Sequence, residues 1–317
     1  MTRNPLRLVF MGTPDFAVPA LGTLLDAGHD IVGVFSQPDR RSGRGRRLSA
    51  PPVKEFAESR GLTVFQPVSL REDAEARQRI SDLAPDAIVV VAYGLFLPEE
   101  TLAAPRLGCL NIHPSLLPRH RGPSPVATAI LEGDETTGVT IMLLDEGMDT
   151  GPILNQSETP IGADEPCDQL TARLFDVGAN FLTKTLELWS KGSITPTPQD
   201  DANATFTRRL QRSDGRIDWN DKAVSIARRV RAFTPWPGTS TTWKDRTFKV
   251  IRASPVAATF DAPAGNSVTL NCPGGIGVTT GCGTLRLLEV QMEGRRASAI
   301  EDFVRGYPDF VGSKLGD

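Results

Sequence analysis

The sequence predicts an α/β protein: a doubly wound parallel-sheet domain, followed by a small β-rich domain folded as a barrel or an open sheet. Three observations lead there. Strand-like and helix-like segments alternate up to Trp189, as a parallel sheet with crossover helices requires. Ala87-Ile88-Val89-Val90-Val91-Ala92 is uniformly apolar, the pattern of a central strand covered on both faces. Beyond the polar, Pro-, Ser- and Thr-rich stretch 190–207, short strands separated by Gly-rich and Pro-rich turns take over. At 317 residues the chain has material for two domains.

In chain order, the apolar run Leu6–Met11 is a strand that ends in the turn Gly12-Thr13-Pro14-Asp15, and Phe16–Ala27 carries apolar residues at helical spacing. Strands are expected at Ile31–Phe35, Thr63–Phe65, Ala87–Ala92, Gly108–Ile112 and Gly138–Leu144. Helices are expected at Pro51–Arg60, Asp73–Leu83, Val126–Leu131 and Asp168–Trp189. In the C-terminal part, a helix at Ala223–Phe233 precedes strands at Thr239–Ile251, Ser267–Leu270, Gly275–Thr280 and Thr284–Gln291.

Composition excludes several classes. With 39% apolar and 23% charged residues the chain is globular. Cys109, Cys167, Cys272 and Cys282 are far apart and form no C-x-x-C, so neither zinc nor a disulfide framework is suggested, and reduced thiols are expected. No apolar run reaches the roughly 20 residues of a membrane span, and a cytoplasmic protein without a membrane partner is expected. Residues 208–317 hold 17 Lys and Arg against 11 Asp and Glu, a net +6, whereas residues 1–207 carry −9. A basic C-terminal part suggests a polyanionic partner, although a solvated basic face has the same signature.

Ligands of an open parallel sheet bind beyond the carboxyl ends of its strands. One such end carries Asn111 and His113, two residues apart and therefore on the same side of the strand, with Pro114 and Pro118 restraining the loop behind them. Their amide and imidazole could act on one atom; an interior histidine bonded to a carbonyl is the alternative. Asp145-Glu146-Gly147-Met148-Asp149-Thr150-Gly151 concentrates three carboxylates between glycines. Asp145 or Asp149 could serve as a cap or turn residue. Placed beside His113, one of them would instead orient the imidazole and raise its pKa. Arg40, Arg41, Arg44, Arg46 and Arg47 crowd into eight positions, with no carboxylate between Asp39 and Glu55. Such a loop repels itself, and it is expected to be mobile and suited to phosphates, or simply solvated. No G-x-S-x-G, G-x-x-x-x-G-K-[ST], H-E-x-x-H or G-x-G-x-x-G after the first strand is present.

Five stretches carry a resemblance over nearly the whole chain: Phe10–Phe16; Gln37-Pro38-Asp39-Arg40 with Gly43-Arg44-Gly45; Val90–Gly94; Asn111–Pro118; and Thr137–Ile141 through Met148-Asp149-Thr150-Gly151. Gly215–Trp219 and Arg231–Gly238 add to it in the C-terminal part. On these residues the chain resembles the methionyl-tRNA formyltransferase family. The resemblance implies a Rossmann-like catalytic domain at 1–189, a linker at 190–207 and an OB-like β-barrel domain at 208–317 that binds tRNA. It further implies formyl transfer from 10-formyltetrahydrofolate to the amino group of methionyl initiator tRNA, with Asn111, His113 and Asp149 as the catalytic trio. Protonated His113 and the Asn111 amide would donate to the developing oxyanion. Folate would lie against Leu95, Phe96, Leu97 and Pro98 and against Ser115, Leu116, Leu117 and Pro118. The arginine-rich loop (Arg40, Arg41, Arg44, Arg46, Arg47) and Arg209 would contact tRNA. No metal is expected, and the protein is expected to act as a monomer. The chain has Gly122-Pro123-Ser124-Pro125 where relatives often have Gly-Ala-Ala-Pro, and Arg209 where they commonly have Lys.

Three other activities compete with this one. A transferase for a small amine would leave residues 208–317 unexplained. A 10-formyltetrahydrofolate hydrolase would leave the arginine-rich loop unexplained as well, and a non-catalytic tRNA-binding protein would have no use for the trio.

Overall fold

The computed structural model describes residues 5–42 and 47–316, which fall into two compact units. The first takes in Met1–Pro125, Thr136–Pro160 and Thr171–Thr207; the second takes in Val126–Glu135, Ile161–Leu170 and Arg208–Asp317. Among the described residues no helix is long and apolar enough to cross a membrane.

Alternating strands and helices run through the first part of the chain: β1 (Arg7–Gly12), α1 (Val18–Asp26), β2 (Asp30–Phe35), β3 (Arg40–Ser42), β4 (Arg47–Ser49), α2 (Pro52–Ser59) and β5 (Val64–Phe65). They continue as α3 (Ala74–Asp82), β6 (Ala87–Val91), α4 (Glu99–Ala103), β7 (Cys109–His113), α5 (Pro125–Glu132), β8 (Thr136–Leu143), β9 (Ile153–Pro160) and α6 (Cys167–Ser190). Seven of the strands form one sheet in the order β5-β2-β1-β6-β7-β8-β9. The first five are parallel, and the order reverses between β1 and β6, which opens a crevice at their carboxyl ends.

Both faces of this sheet are covered, so every residue of β6 and β7 is buried. Val9, Met11, Ile88 and Val90 pack with Ala76 and Ile80 of α3, a helix started by Asp73, whose carboxylate accepts from the Ala76 amide at 2.9 Å. Leu174, Ala179, Leu182 and Leu186 of α6 are fully buried. A Cβ on Gly178 would stand 2.7 Å from Ile112 Cγ2, so only glycine lets α6 lie this close to β7.

Three expectations are corrected. The sheet is not parallel throughout, because β8 runs antiparallel to β7 and β9 antiparallel to β8. The edge strand β9, ILNQSETP, alternates between covered and exposed positions, as an antiparallel strand with one wet face can. Its polar composition hides it from an apolar-run reading. Second, the flanks of the arginine-rich segment are not a loose loop. Arg40–Ser42 pairs antiparallel with Arg47–Ser49, while Arg44 and Arg46 lie outside the described residues. Third, the stretch Thr239–Ile251 is two strands rather than one.

The second unit contains α7 (Ala223–Ala232), β10 (Thr239–Trp243), β11 (Arg246–Val256), β12 (Ser267–Thr269), β13 (Ile276–Thr279), β14 (Thr284–Met292), β15 (Ser298–Ala299) and α8 (Ile300–Gly306). Its sheet is antiparallel in the order β10-β11-β14-β13-β12, with β15 on β14. The β10–β11 turn is made by Lys244 and Asp245, at φ 50° and 57°. Consecutive positive φ values are the hairpin geometry that Asn-Gly or Asp-Gly usually announces, and Lys-Asp announces nothing. Irregular pairing around Arg252 interrupts the eleven-residue β11, as a bulge that bends a strand does. Phe248, Phe303 and Phe310 form a ring cluster with Trp243 at centroid separations of 5.2–5.8 Å.

Candidate active site

The crevice at the carboxyl edge is held by side chains from consecutive strand ends. Thr13, just past β1, donates its hydroxyl to the Tyr93 carbonyl beyond β6 at 3.0 Å. Gln37, beyond β2, donates to the same carbonyl at 2.9 Å and accepts from the Arg40 guanidinium at 2.5 Å. Asp39 is fastened by the Lys54 ammonium (2.9 Å) and the Gln66 amide (2.8 Å), and the hydrogen bonds from Gln66 and Lys54 hold its carboxyl below the usual carboxylate range. Gln37–Arg40 is therefore a rigid base for the arginine-bearing hairpin.

Asn111 and His113 sit side by side on β7, where β6 aligns Val90 with Asn111. Both are buried, and the Asn111 amide makes no hydrogen bond to another described residue, which leaves it able to donate to a substrate oxygen. His113 Nε2 lies 3.0 Å from the His120 carbonyl oxygen. A carbonyl only accepts, so Nε2 carries the hydrogen, and in the neutral ring Nδ1 is left with the lone pair. Nδ1 faces Asp149 Oδ2 at 3.7 Å.

Burial pushes the His113 imidazole below its ordinary value, and the opposing pull of Asp149 does not restore it. This direction runs against the expectation of a protonated His113: taking a cation out of water opposes the charged form that one carboxylate at 3.7 Å favours.

The loop after β8 separates the two aspartates by role. Asp145 Oδ1 accepts from the Gly147 amide (3.0 Å) and the Thr150 hydroxyl (2.7 Å), which makes it a turn residue. Asp149 has a left-handed backbone, φ 55°, and its Oδ2 accepts from the Gly122 amide at 2.8 Å. The loop returns so tightly that a Cβ on Gly151 would fall 1.9 Å from the Leu143 carbonyl oxygen.

The remaining predicted residues divide between surface and interior. Phe96 is exposed and Leu97 buried, with Leu95 packed against the core of the first unit and Pro98 preceding α4. Ser115 and Leu117 point inward. The Ser115 hydroxyl donates to the Arg119 carbonyl at 2.7 Å, the Thr140 hydroxyl donates to the Ser115 carbonyl at 2.7 Å, and Gln156 donates to the Leu117 carbonyl at 2.8 Å. These bonds shape the loop, leaving Leu116 and Pro118 as its partly exposed side chains. Arg40 and Arg41 are exposed on β3, Arg47 lies on β4, and Arg209 is exposed in the second unit. The four cysteines are free thiols, and burial pushes that of Cys109 up to about 12.

Gln199, Arg121 and Asp201 escape the sequence reading. Gln199 and Asp201 lie 78 and 80 residues beyond Arg121 yet are directly bonded to it: Arg121 Nε donates to Gln199 Oε1 at 2.9 Å and its terminal nitrogen to Asp201 Oδ1 at 2.8 Å. Nothing local in a polar stretch signals that it will be drawn onto the Asp149 loop.

Residues 6–186 match the family model described as formyl transferase, and residues 209–308 match that of the formyl transferase C-terminal domain. A methionyl-tRNA formyltransferase of Marinobacter nauticus is 45% identical over 95% of this chain and 96% of its own. Another, from a Roseiflexus species, is 48% identical over 99% of this chain and 96% of its own. Among solved structures, the sugar 3N-formyl transferase WlaRD, crystallised with dTDP and 5-N-formyl-THF, aligns with a TM-score of 0.67 over 93% of this chain and all of its own, at 18% identity. HypX from Aquifex aeolicus in complex with tetrahydrofolic acid aligns with a TM-score of 0.65 over 97% of this chain and 48% of its own, at 16% identity. At such identities the two structures show a common fold. With two family models covering most of the chain, and with relatives at 45–48% identity over nearly its full length, the chain belongs to the methionyl-tRNA formyltransferase family.

Proposed function

We propose that the protein transfers the formyl group of 10-formyltetrahydrofolate to the α-amino group of methionyl initiator tRNA. The observation that carries this reading is the convergence of Asn111, His113 and Asp149 at the carboxyl edge of the sheet, with Nδ1 of His113 directed at Asp149. The shared name of the full-length relatives supports the choice of acceptor.

The chemistry follows from the geometry. The amine attacks the formyl carbon, and the Asn111 amide donates to the oxygen as it becomes negative, a contribution of roughly 3 kcal/mol for one such donor. The new C–N bond leaves a proton on nitrogen that must depart. Neutral His113 takes it at Nδ1, and Asp149 stabilises the imidazolium so formed. When the tetrahedral intermediate collapses, the C–N bond to the folate breaks and the same proton passes to the departing nitrogen. No covalent bond to the enzyme is needed.

Folate is assigned to Leu95, Phe96, Leu97 and Pro98 together with the Ser115–Pro118 loop, where Phe96, Leu116 and Pro118 offer accessible apolar surface. Residues 1–189 carry the chemistry and 190–207 connect to residues 208–317, an OB-like domain whose excess positive charge suits the tRNA backbone. A monomer in the cytoplasm is the simplest form consistent with this division.

The decisive experiment supplies 10-formyltetrahydrofolate with methionyl initiator tRNA, a small amine or no acceptor. Acid-stable formyl-methionine on the tRNA is the expected product. Formylation of the small amine alone, or release of formate without an acceptor, would replace this reading by one of its rivals.

Two predictions belong here. With substrates saturating, Asp149→Asn removes the charge that favours protonated His113, so the acidic limb of kcat governed by that ring moves to lower pH. A limb that stays in place would mean that His113 is not the titrating base. Arg40→Ala combined with Arg41→Ala weakens tRNA binding and flattens its salt dependence by about 0.7–0.9 in logarithmic slope for each phosphate no longer neutralised. Binding of the folate donor is unchanged. Equal tRNA affinity at every salt concentration would assign the hairpin to solvent.

A further inference from the structure

The segment 197–207, which includes one 3-10 turn at Asp201–Asn203, belongs to the first unit and is bonded to both sides of the proposed proton-transfer pair. On one side, Thr197 exchanges two backbone hydrogen bonds of 2.8 Å with Ile153. The Gln199 side-chain amide then donates to the Asp149 carbonyl at 2.8 Å and to the Gly151 carbonyl at 2.7 Å. On the other side, the Arg121 amide donates to the Thr205 carbonyl at 2.9 Å, and the Thr207 amide donates to the Arg121 carbonyl at 2.8 Å. The His120 amide donates to the Thr205 hydroxyl at 2.8 Å. His120 is the residue whose carbonyl receives Nε2–H of His113.

Gln199 joins the two sides. Both hydrogens of its amide are spent on the Asp149 loop, and its oxygen accepts from Arg121 Nε at 2.9 Å, so each of its polar atoms is engaged. Arg121 cannot swing away: its side chain is only 2% exposed, and it is paired with Asp201 at 2.8 Å. The restraint falls where it is needed. Asp149 sits at φ 55°, a conformation side chains rarely adopt and one that persists only when its surroundings hold it. Its carboxylate reaches His113 across 3.7 Å, so a small backbone displacement changes the contact.

We propose that Gln199 is a positioning residue for formyl transfer: clamped by Arg121 and Asp201, its amide fixes the Asp149 backbone so that the carboxylate faces Nδ1 of His113. This rests on the reading of His113 as base and Asp149 as its partner. The ionisable groups acting on His113 are Asp149, from the loop, and His120, from the segment after β7. Arg121 and Asp201 stand behind Gln199 and are bonded through it. A catalytic group displaced by about 1 Å can cost about 100-fold in rate.

The test uses the full-length protein with Gln199→Ala, Gln199→Glu and Asp149→Asn, measuring kcat and KM for both substrates, the pH profile of kcat and the thermal midpoint. Gln199→Ala is expected to lower kcat by about 10- to 100-fold at unchanged KM. It should also move the acidic limb to lower pH, the same direction as Asp149→Asn. Gln199→Glu keeps an acceptor for Arg121 but sets carboxylate oxygen against two carbonyls, so it is expected to fall at least as far. Wild-type kcat in either Gln199 variant would overturn the proposal. So would a lowered kcat with an unmoved limb and a lowered thermal midpoint, the signature of a merely structural residue. If Asp149→Asn changes rate and limb while both Gln199 variants do neither, this proposal alone fails. If Asp149→Asn changes neither, the base-and-partner reading fails and takes the proposal with it.

Discussion

His113→Ala is expected to lower formyl transfer by about 10²- to 10⁴-fold, the usual contribution of a positioned general base, while leaving tRNA affinity nearly intact. The ring is buried and offers the substrate only Nδ1, since Nε2 is bonded to the His120 carbonyl. On the proposed mechanism, its loss leaves the proton on the attacking nitrogen without an acceptor beside the reacting carbon, and the tetrahedral intermediate returns to reactants. A buried ring is not placed to neutralise phosphates, so filter binding of the tRNA should be unaffected. Single-turnover transfer with donor and tRNA both saturating separates the two effects. Turnover close to that of the wild type would remove His113 from the chemistry, and the trio with it.

Asp149→Asn is expected to cost nearly as much, about 10²-fold or more, whereas Asp145→Asn should change turnover little. The two residues share one loop, and their surroundings differ in kind. Asp145 uses one oxygen to accept from Gly147 and Thr150, a role that an asparagine oxygen fills equally well. Asp149 instead sets a negative charge 3.7 Å from Nδ1 of His113. An asparagine of the same shape can still accept from the Gly122 amide, yet it cannot stabilise the imidazolium. The loop stays folded and the electrostatics are lost, so circular dichroism and thermal midpoint should barely change while kcat falls. Comparable turnover in both variants would refute the assignment of Asp149.

The side-by-side placement of Asn111 and His113 was legible in the sequence, where local spacing decides geometry. Asn111 and His113 share a face because side chains alternate along a strand, and the all-apolar Ala87–Val91 run marks the central strand beside them. Composition and spacing alone did not choose between Asp145 and Asp149, which lie between glycines in one loop; the family resemblance named Asp149, and the folded path sets its carboxylate 3.7 Å from His113 Nδ1.

The sequence by itself determined the order of the α/β elements, the change of architecture beyond residue 207, the Asn-x-His strand end and the family. Each depends on residue type at short range or on stretches that match relatives position by position. Tertiary structure alone decided the direction of β8 and the existence of β9, since a half-wet edge strand carries no apolar run. It also set the direction in which the His113 imidazole shifts, because burial is set by everything that packs around a ring, whereas the sequence displays only the candidate carboxylate. The attachment of Gln199 to the Asp149 loop belongs to the same class. Its three hydrogen-bond partners come from residues 48 to 78 positions away, and a bond closed over that much chain is fixed by the packing of the unit, with no trace in the residues on either side.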